Sequence, residues 1–134
     1  MTQTVFFDTN IFVYLYTKEA QKSDRAAQLV SQGGIISVQV LNEFVSVAQK
    51  KLKLPWDHIE TGLEAIRSVC RVLPLDLAIH NRAVEICRRT HYSIYDALIL
   101  AAALTSGCNT LYSEDLQDRH QFDGLTIINP FRSA

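Results

Sequence analysis

Five short runs, residues 5–7, 35–36, 72–73, 110–112 and 125–128, are rich in β-branched and aromatic side chains. Runs of this length and composition predict buried strands. Between them, apolar positions recur with a helical period over 24–32, 38–51, 56–68, 77–89 and 93–105. Gly33-Gly34 and Gly107 supply breaks after two of these helices, and Pro55 occupies a first helical position. Strands alternating with helices predict an α/β fold whose mostly parallel five-stranded sheet is covered on both faces. With 134 residues and no linker, repeat or low-complexity tract, the chain is expected to form one domain over 1–134.

One charge breaks the most apolar of these segments. From Ile94 to Leu104, ten of eleven residues are apolar and the exception is Asp96. The pattern predicts burial on every side of that helix, where an ionised carboxylate is costly unless it is paired, protonated or bound to a metal. Ser93, three residues earlier, completes a capping box that explains an acid here without any further role. Three other acids stand at comparable places. Asp8 ends the first strand and is followed by Thr9 and Asn10, all three also good N-caps. Glu43 falls at the border of the helical face made by Val40, Leu41, Phe44, Val47 and Ala48, where a solvated edge residue is equally at home. Asp115 follows the fourth strand within Ser113-Glu114-Asp115, and Glu114 and Asp118 compete with it.

In open parallel sheets, ligands bind beyond the carboxyl ends of the strands where the strand order reverses. The ends of strands one and four, and so Asp8 and Asp115, are therefore the expected neighbours. Two unit charges about 4 Å apart repel by roughly 4 kcal/mol at an effective dielectric near 20. Gathered acids must therefore keep protons or recruit a cation. All-oxygen ligation, with no His or Cys among the candidates, suits Mg²⁺ or Mn²⁺ rather than zinc. Divalent-metal phosphodiester chemistry is the reading that follows.

Composition constrains less. The hydrophobic fraction of 48% and charged fraction of 20% are those of a soluble globular chain. A formal charge of −1 lacks the basic excess of a typical nucleic-acid binder, yet two dications would move it to +3, so it does not decide the matter. Lys50, Lys51 and Lys53 form one basic cluster and Arg88, Arg89 and His91 another. Either could follow a phosphate backbone or simply cap a helix C-terminus. Cys70, Cys87 and Cys108 are odd in number and widely spaced, which argues against a disulfide framework or a zinc site. No leader and no long apolar span is evident, so a cytoplasmic protein with no membrane association is expected.

Four stretches in order, FDTNI, VLNEF, SIYDALILAAA and LYSEDLQD, resemble the PIN domain, specifically the VapC ribonuclease toxins of bacterial toxin–antitoxin pairs. The resemblance spans nearly the whole chain, including the closing LTIINPF. It implies a three-layer α/β/α sandwich with an acidic pocket at the strand ends. In the family's pattern, Asp8, Glu43, Asp96 and Asp115 match the acidic positions that hold the metal and carry catalysis, and Thr9, Asn10 and Ser113 match the supporting polar positions. The implied activity is Mg²⁺-dependent hydrolysis of RNA, leaving a 5′-phosphate and a 3′-hydroxyl. The implied partners are an RNA substrate, a second copy in a homodimer and a small VapB-type antitoxin. The antitoxin's peptide would lie in an apolar groove to which Phe12, Tyr14, Tyr16, Phe44 and Trp56 could contribute, although core packing suits most of them better.

Other phosphoryl-transfer folds fit less well. A haloacid-dehalogenase-like enzyme needs a second Asp two positions after the first, where Asn10 stands, and no G-x-S-x-G elbow occurs. A housekeeping RNA-processing PIN nuclease without an antitoxin and an inactive PIN-like binding module remain as alternatives.

Overall fold

The computed structural model describes residues 4–132. Six strands form one sheet: β1 (Val5–Phe7), β2 (Gly34–Ser37), β3 (Cys70–Leu73), β4 (Thr110–Tyr112), β5 (Gln121–Phe122) and β6 (Leu125–Ile128). Six α-helices accompany them: α1 (Thr9–Val13), α2 (Ala20–Val30), α3 (Val38–Lys50), α4 (Trp56–Val69), α5 (Leu77–Arg89) and α6 (Ile94–Thr105). A 3-10 turn, Tyr14–Tyr16, continues α1.

The sheet order is β3-β2-β1-β4-β6-β5. All pairings are parallel except that of β5 with β6. The chain moves outward from β1 to β3 and then returns to the other side of β1 as β4. Right-handed crossovers in opposite directions place their helices on opposite faces. Accordingly, α1, α3 and α4 pack in succession as one group, whereas α5 and α6 pack on one another, with α6 against β2 and β4. The result is the expected α/β/α sandwich.

Three expectations need correction. The sheet has six strands, not five; β5 is a two-residue edge strand turned back by Asp123 and Gly124, both with positive φ (50° and 89°). Such a two-residue loop matches the twist of an antiparallel pair. Helix α2 begins at Ala20 rather than residue 24, its first turn being polar and therefore silent in the periodicity. Gly33 does end α2 in the left-handed region (φ 79°), but Gly34 opens β2, where a Cβ would stand 2.5 Å from the Phe7 ring.

The core runs through both helical layers: Phe6, Phe7, Ile11, Phe12, Ile35, Ile36, Phe44, Leu100, Leu111 and Leu125 are fully enclosed or nearly so. Phe12 and Phe44 thus belong to the core and do not line a groove, whereas Tyr16 and Trp56 are exposed. All three cysteines are free. Among the described residues, no helix is long and apolar enough to cross a membrane.

Candidate active site

The reversal of strand order falls between β1 and β4, and their register pairs Phe7 with Tyr112. The next residues, Asp8 and Ser113, therefore leave the sheet side by side. Asp8 N donates to Tyr112 O at 3.0 Å, extending the ladder by one bond. Asp8 then caps α1, its Oδ1 accepting from Thr9 N at 2.7 Å. Its Oδ2 accepts from Ser113 Oγ at 2.8 Å. Burial pushes the Asp8 carboxyl up to about 6, against the lowering effect of the Ser113 and Thr9 hydrogen bonds, with Glu43 and Asp115 adding repulsion.

Neighbouring side chains fix the other acids. Glu43, on α3, accepts from Thr9 Oγ1 at 2.5 Å and from Gln39 Nε2 at 3.1 Å. Gln39 and Glu43 are one helical turn apart, so the amide meets the carboxylate on the same face. Asn10 joins two segments: its Nδ2 donates to Asp115 Oδ2 at 3.1 Å and its Oδ1 accepts from Glu114 N at 3.3 Å. Ser113 Oγ also accepts from the amides of Asp115 and Leu116 at 3.2 and 3.3 Å.

Asp96 sits in the first turn of α6, its amide donating to the N-cap Ser93 Oγ at 3.1 Å. Helix α6 leads into β4 and so runs against it, which brings this first turn to the carboxyl end of the sheet. Asp96 is only half-buried, contrary to the enclosure expected from its apolar neighbours, because its stripe of α6 faces an open cavity; the adjacent Tyr95 is itself 67% exposed. Its carboxyl is nevertheless raised, first by burial and further by Asp115 and Glu43.

Asp8, Glu43, Asp96 and Asp115 all line one cavity of about 460 Å³, with Thr9, Asn10 and Lys51. Glu114 also lines it, but Tyr14 donates its phenol and Lys22 its ammonium, at 2.7 Å, to that carboxylate. Asp118 is directed elsewhere: it accepts from Asn129 N at 2.7 Å and from Arg132 Nη1 at 3.1 Å, contacts that hold its carboxyl below the usual range. Among the three competing acids, then, Asp115 is the one facing the cavity without a cationic partner among the described residues. Of the two basic clusters, Lys51 reaches the cavity wall, whereas Arg89 forms a two-pronged pair with Asp123 at 3.2 Å.

The donor chemistry fits a hard dication, since every candidate offers carboxylate, hydroxyl or amide oxygen. The spacing is looser than a ready-made site. Among the described residues, no three His, Cys, Asp or Glu side chains are gathered so as to hold an ion as they lie. Sequence reasoning missed Gln39 and Lys22, and offered Tyr14 only to an apolar groove, not to Glu114. The first has the one-turn spacing to Glu43 as its signal; the other two meet Glu114 only through the fold.

A family model described as the PIN domain matches residues 5–122. None of the curated proteins compared matches the chain. Among solved structures, VapC20 of Mycobacterium tuberculosis, a sarcin-ricin loop cleaving toxin, superposes with a TM-score of 0.68 at 23% identity, over 83% of this chain and 89% of its own. A toxin–antitoxin complex from Klebsiella pneumoniae gives 0.71 at 22% identity, over 94% and 97%. DNA-bound VapBC from Salmonella typhimurium gives 0.69 at 20% identity, over 94% and 97%. At these identities the structural likeness is one of fold. The family match, spanning most of the chain, shows that it belongs to the PIN domain family.

Proposed function

We propose that the chain is a single-domain, metal-dependent endoribonuclease of the VapC toxin type, with Asp8, Glu43, Asp96 and Asp115 as its metal-holding acids. The observation that carries this reading is the convergence of these carboxylates on one cavity at the strand-order reversal. Mg²⁺, or Mn²⁺ in its place, would supply Lewis acidity toward a phosphodiester and the attacking water.

The chain's own residues do the rest. Thr9 and Ser113 each donate to one oxygen of an acid, which orients Glu43 and Asp8. One of the four acids would also orient or deprotonate the attacking water. Lys51 offers a cation to a phosphate flanking the one that is cut. The water oxygen bonds to phosphorus as the phosphorus–O3′ bond breaks, and the departing oxygen takes a proton from solvent, leaving a 3′-hydroxyl and a 5′-phosphate.

The solved toxin–antitoxin complexes with this fold, one of them a VapBC pair, motivate a VapB-type antitoxin as partner. A homodimer is proposed as well, with Leu77 and Val84 supplying exposed apolar surface on one face of α5. One observation favours the inactive-module alternative: among the described residues, no three acids are gathered closely enough to hold an ion as they lie.

A single comparison separates the two. Wild type and Asp96→Asn are incubated with a panel of single-stranded oligoribonucleotides in Mg²⁺, Mn²⁺ or EDTA, while Mn²⁺ affinity is read by calorimetry. The nuclease reading expects metal-dependent cleavage by the wild type, a loss of roughly 100-fold or more in the variant, weaker Mn²⁺ binding and an unchanged circular dichroism spectrum. Equal cleavage by both proteins removes Asp96 from the mechanism, and no cleavage by the wild type defeats the nuclease. Growth arrest on expression, relieved by an adjacent small gene, tests the toxin assignment.

A further inference from the structure

Helices α3 and α6, with Leu75 ahead of α5, line a second, open groove of about 310 Å³ beside the acid cavity. Glu43 and Ser46 line both and so form the wall they share. On α6, Asp96 and Ile99 face the acid cavity, while Tyr95 and Leu98, one residue earlier in each case, face the groove. That offset is one helical step of 100° on adjacent stripes. Tyr95 is 67% exposed, an unusual place for so large a ring, and its backbone carbonyl accepts from Gln39 Nε2 at 3.1 Å, which ties its main chain to α3. Gln39 lines the groove too and is itself buried. Its Oε1 is one of two buried side-chain polar atoms among the described residues that have no hydrogen-bond partner. Because Nε2 already faces two acceptors, the amide orientation is fixed, and Oε1 is left as an acceptor in want of a donor.

We infer that this groove is a nucleobase subsite, in which the base next to the scissile phosphate stacks on Tyr95 and presents an N–H edge to the exposed Asn42 amide, with the enclosed Gln39 amide holding the Tyr95 main chain behind it. The inference rests on the nuclease reading above and names its substrate as single-stranded RNA. Continuity decides the occupant. A chain whose phosphate lies against Glu43 and Asp96 must place an adjoining nucleoside across the shared wall. An exposed aromatic face accepts any base by stacking, and the polar wall adds preference among bases.

The test uses an oligoribonucleotide carrying a single 2-aminopurine, whose fluorescence falls on stacking, in Ca²⁺ and again in EDTA. Wild type, Tyr95→Phe, Tyr95→Leu and Tyr95→Ala are compared, with cleavage in Mg²⁺ or Mn²⁺ and sedimentation measured on the same proteins. Quenching by the wild type, retained in Tyr95→Phe and weakened roughly 10- to 100-fold in Tyr95→Ala and Tyr95→Leu, supports the subsite. Cleavage by the wild type without quenching overturns the subsite and leaves the nuclease standing. Quenching without cleavage keeps the subsite and defeats the hydrolytic reading. A Tyr95→Ala protein that binds as tightly as wild type but changes its sedimentation overturns the proposal, because the face is then a contact between copies. Neither quenching nor cleavage by the wild type overturns both.

Discussion

The Ser113 hydroxyl donates to Asp8 Oδ2 at 2.8 Å across the point where the strand order reverses, joining residues 105 positions apart. The same oxygen accepts the amides of Asp115 and Leu116. Replacing Ser113 with Ala removes the donor and strands two N–H groups. Ser113→Ala is expected to lose roughly 1–3 kcal/mol of stability in urea denaturation, and to raise the Asp8 carboxyl further in an NMR titration. An unshifted titration would show that the hydroxyl does not hold the acid.

Asp8 makes stability depend on pH in a definite direction. Its folded-state value, about 6, lies above the ordinary 3.8. The folded protein therefore binds the proton more tightly than the unfolded chain does, and the stability this group contributes below pH 4 is lost as pH rises through 6. A shift of about two units corresponds to about 3 kcal/mol at pH 7.5. Asp8→Asn, uncharged at every pH but able to accept from only one of Thr9 N and Ser113 Oγ, is expected to gain on wild type by an amount of that order between pH 4 and pH 7.5. Denaturation curves at both values, without added metal, measure it; a difference from wild type that is the same at both would contradict the assignment.

Metal should act on the same group with the opposite sign. A dication prefers the ionised carboxylate, so Mn²⁺ is expected to raise the wild-type melting temperature at pH 7.5 and to bind progressively more weakly as pH falls below 6. Asp8→Asn should lose most of that response. A shift of equal size in both proteins would place the ion elsewhere.

Lys51 lines the acid cavity, whereas Arg89 is paired with Asp123. Lys51→Met is expected to weaken single-stranded RNA binding uniformly across sequences and to reduce the salt slope by about 0.7. Arg89→Met should leave that slope unchanged. Fluorescence anisotropy over a range of salt concentrations distinguishes them.

Gly34 sits where a Cβ would approach Phe7 Cε2 to 2.5 Å. That ring is enclosed and packs edge-on to Phe12 and stacked on Tyr112, so it has little room to yield. Gly34→Ala is expected to destabilise the fold by roughly 1–3 kcal/mol, read by denaturation. Wild-type stability would mean that the ring moves freely.

Much of this architecture is legible in local pattern. The β1 and β4 ends could be paired in advance because strand alternation and the switch-point rule depend on short apolar runs alone. Strand β5 was overlooked although its Asp123-Gly124 turn carries a strong hairpin signal; two residues of strand give no alternation to read. The enclosure expected of Asp96 failed because its stripe faces the open cavity, and the adjacent Tyr95, which counts as apolar in a pattern, projects into solvent. The contacts that set Glu114 and Asp118 apart from Asp115 are not legible in the sequence. Lys22 lies 92 residues from Glu114 and Arg132 lies 14 from Asp118, and no periodicity encodes either encounter.

Because the Ser113 hydroxyl gives one hydrogen bond and receives two, it has no alternative orientation, and the strand-borne floor beneath Asp8 is rigid before anything enters. Asp96 and Lys51 stand instead on helix ends, off the sheet. If the proposed metal site holds, ions of different radius would be accommodated from one side, and selectivity among them would turn on how far the helical wall leans in.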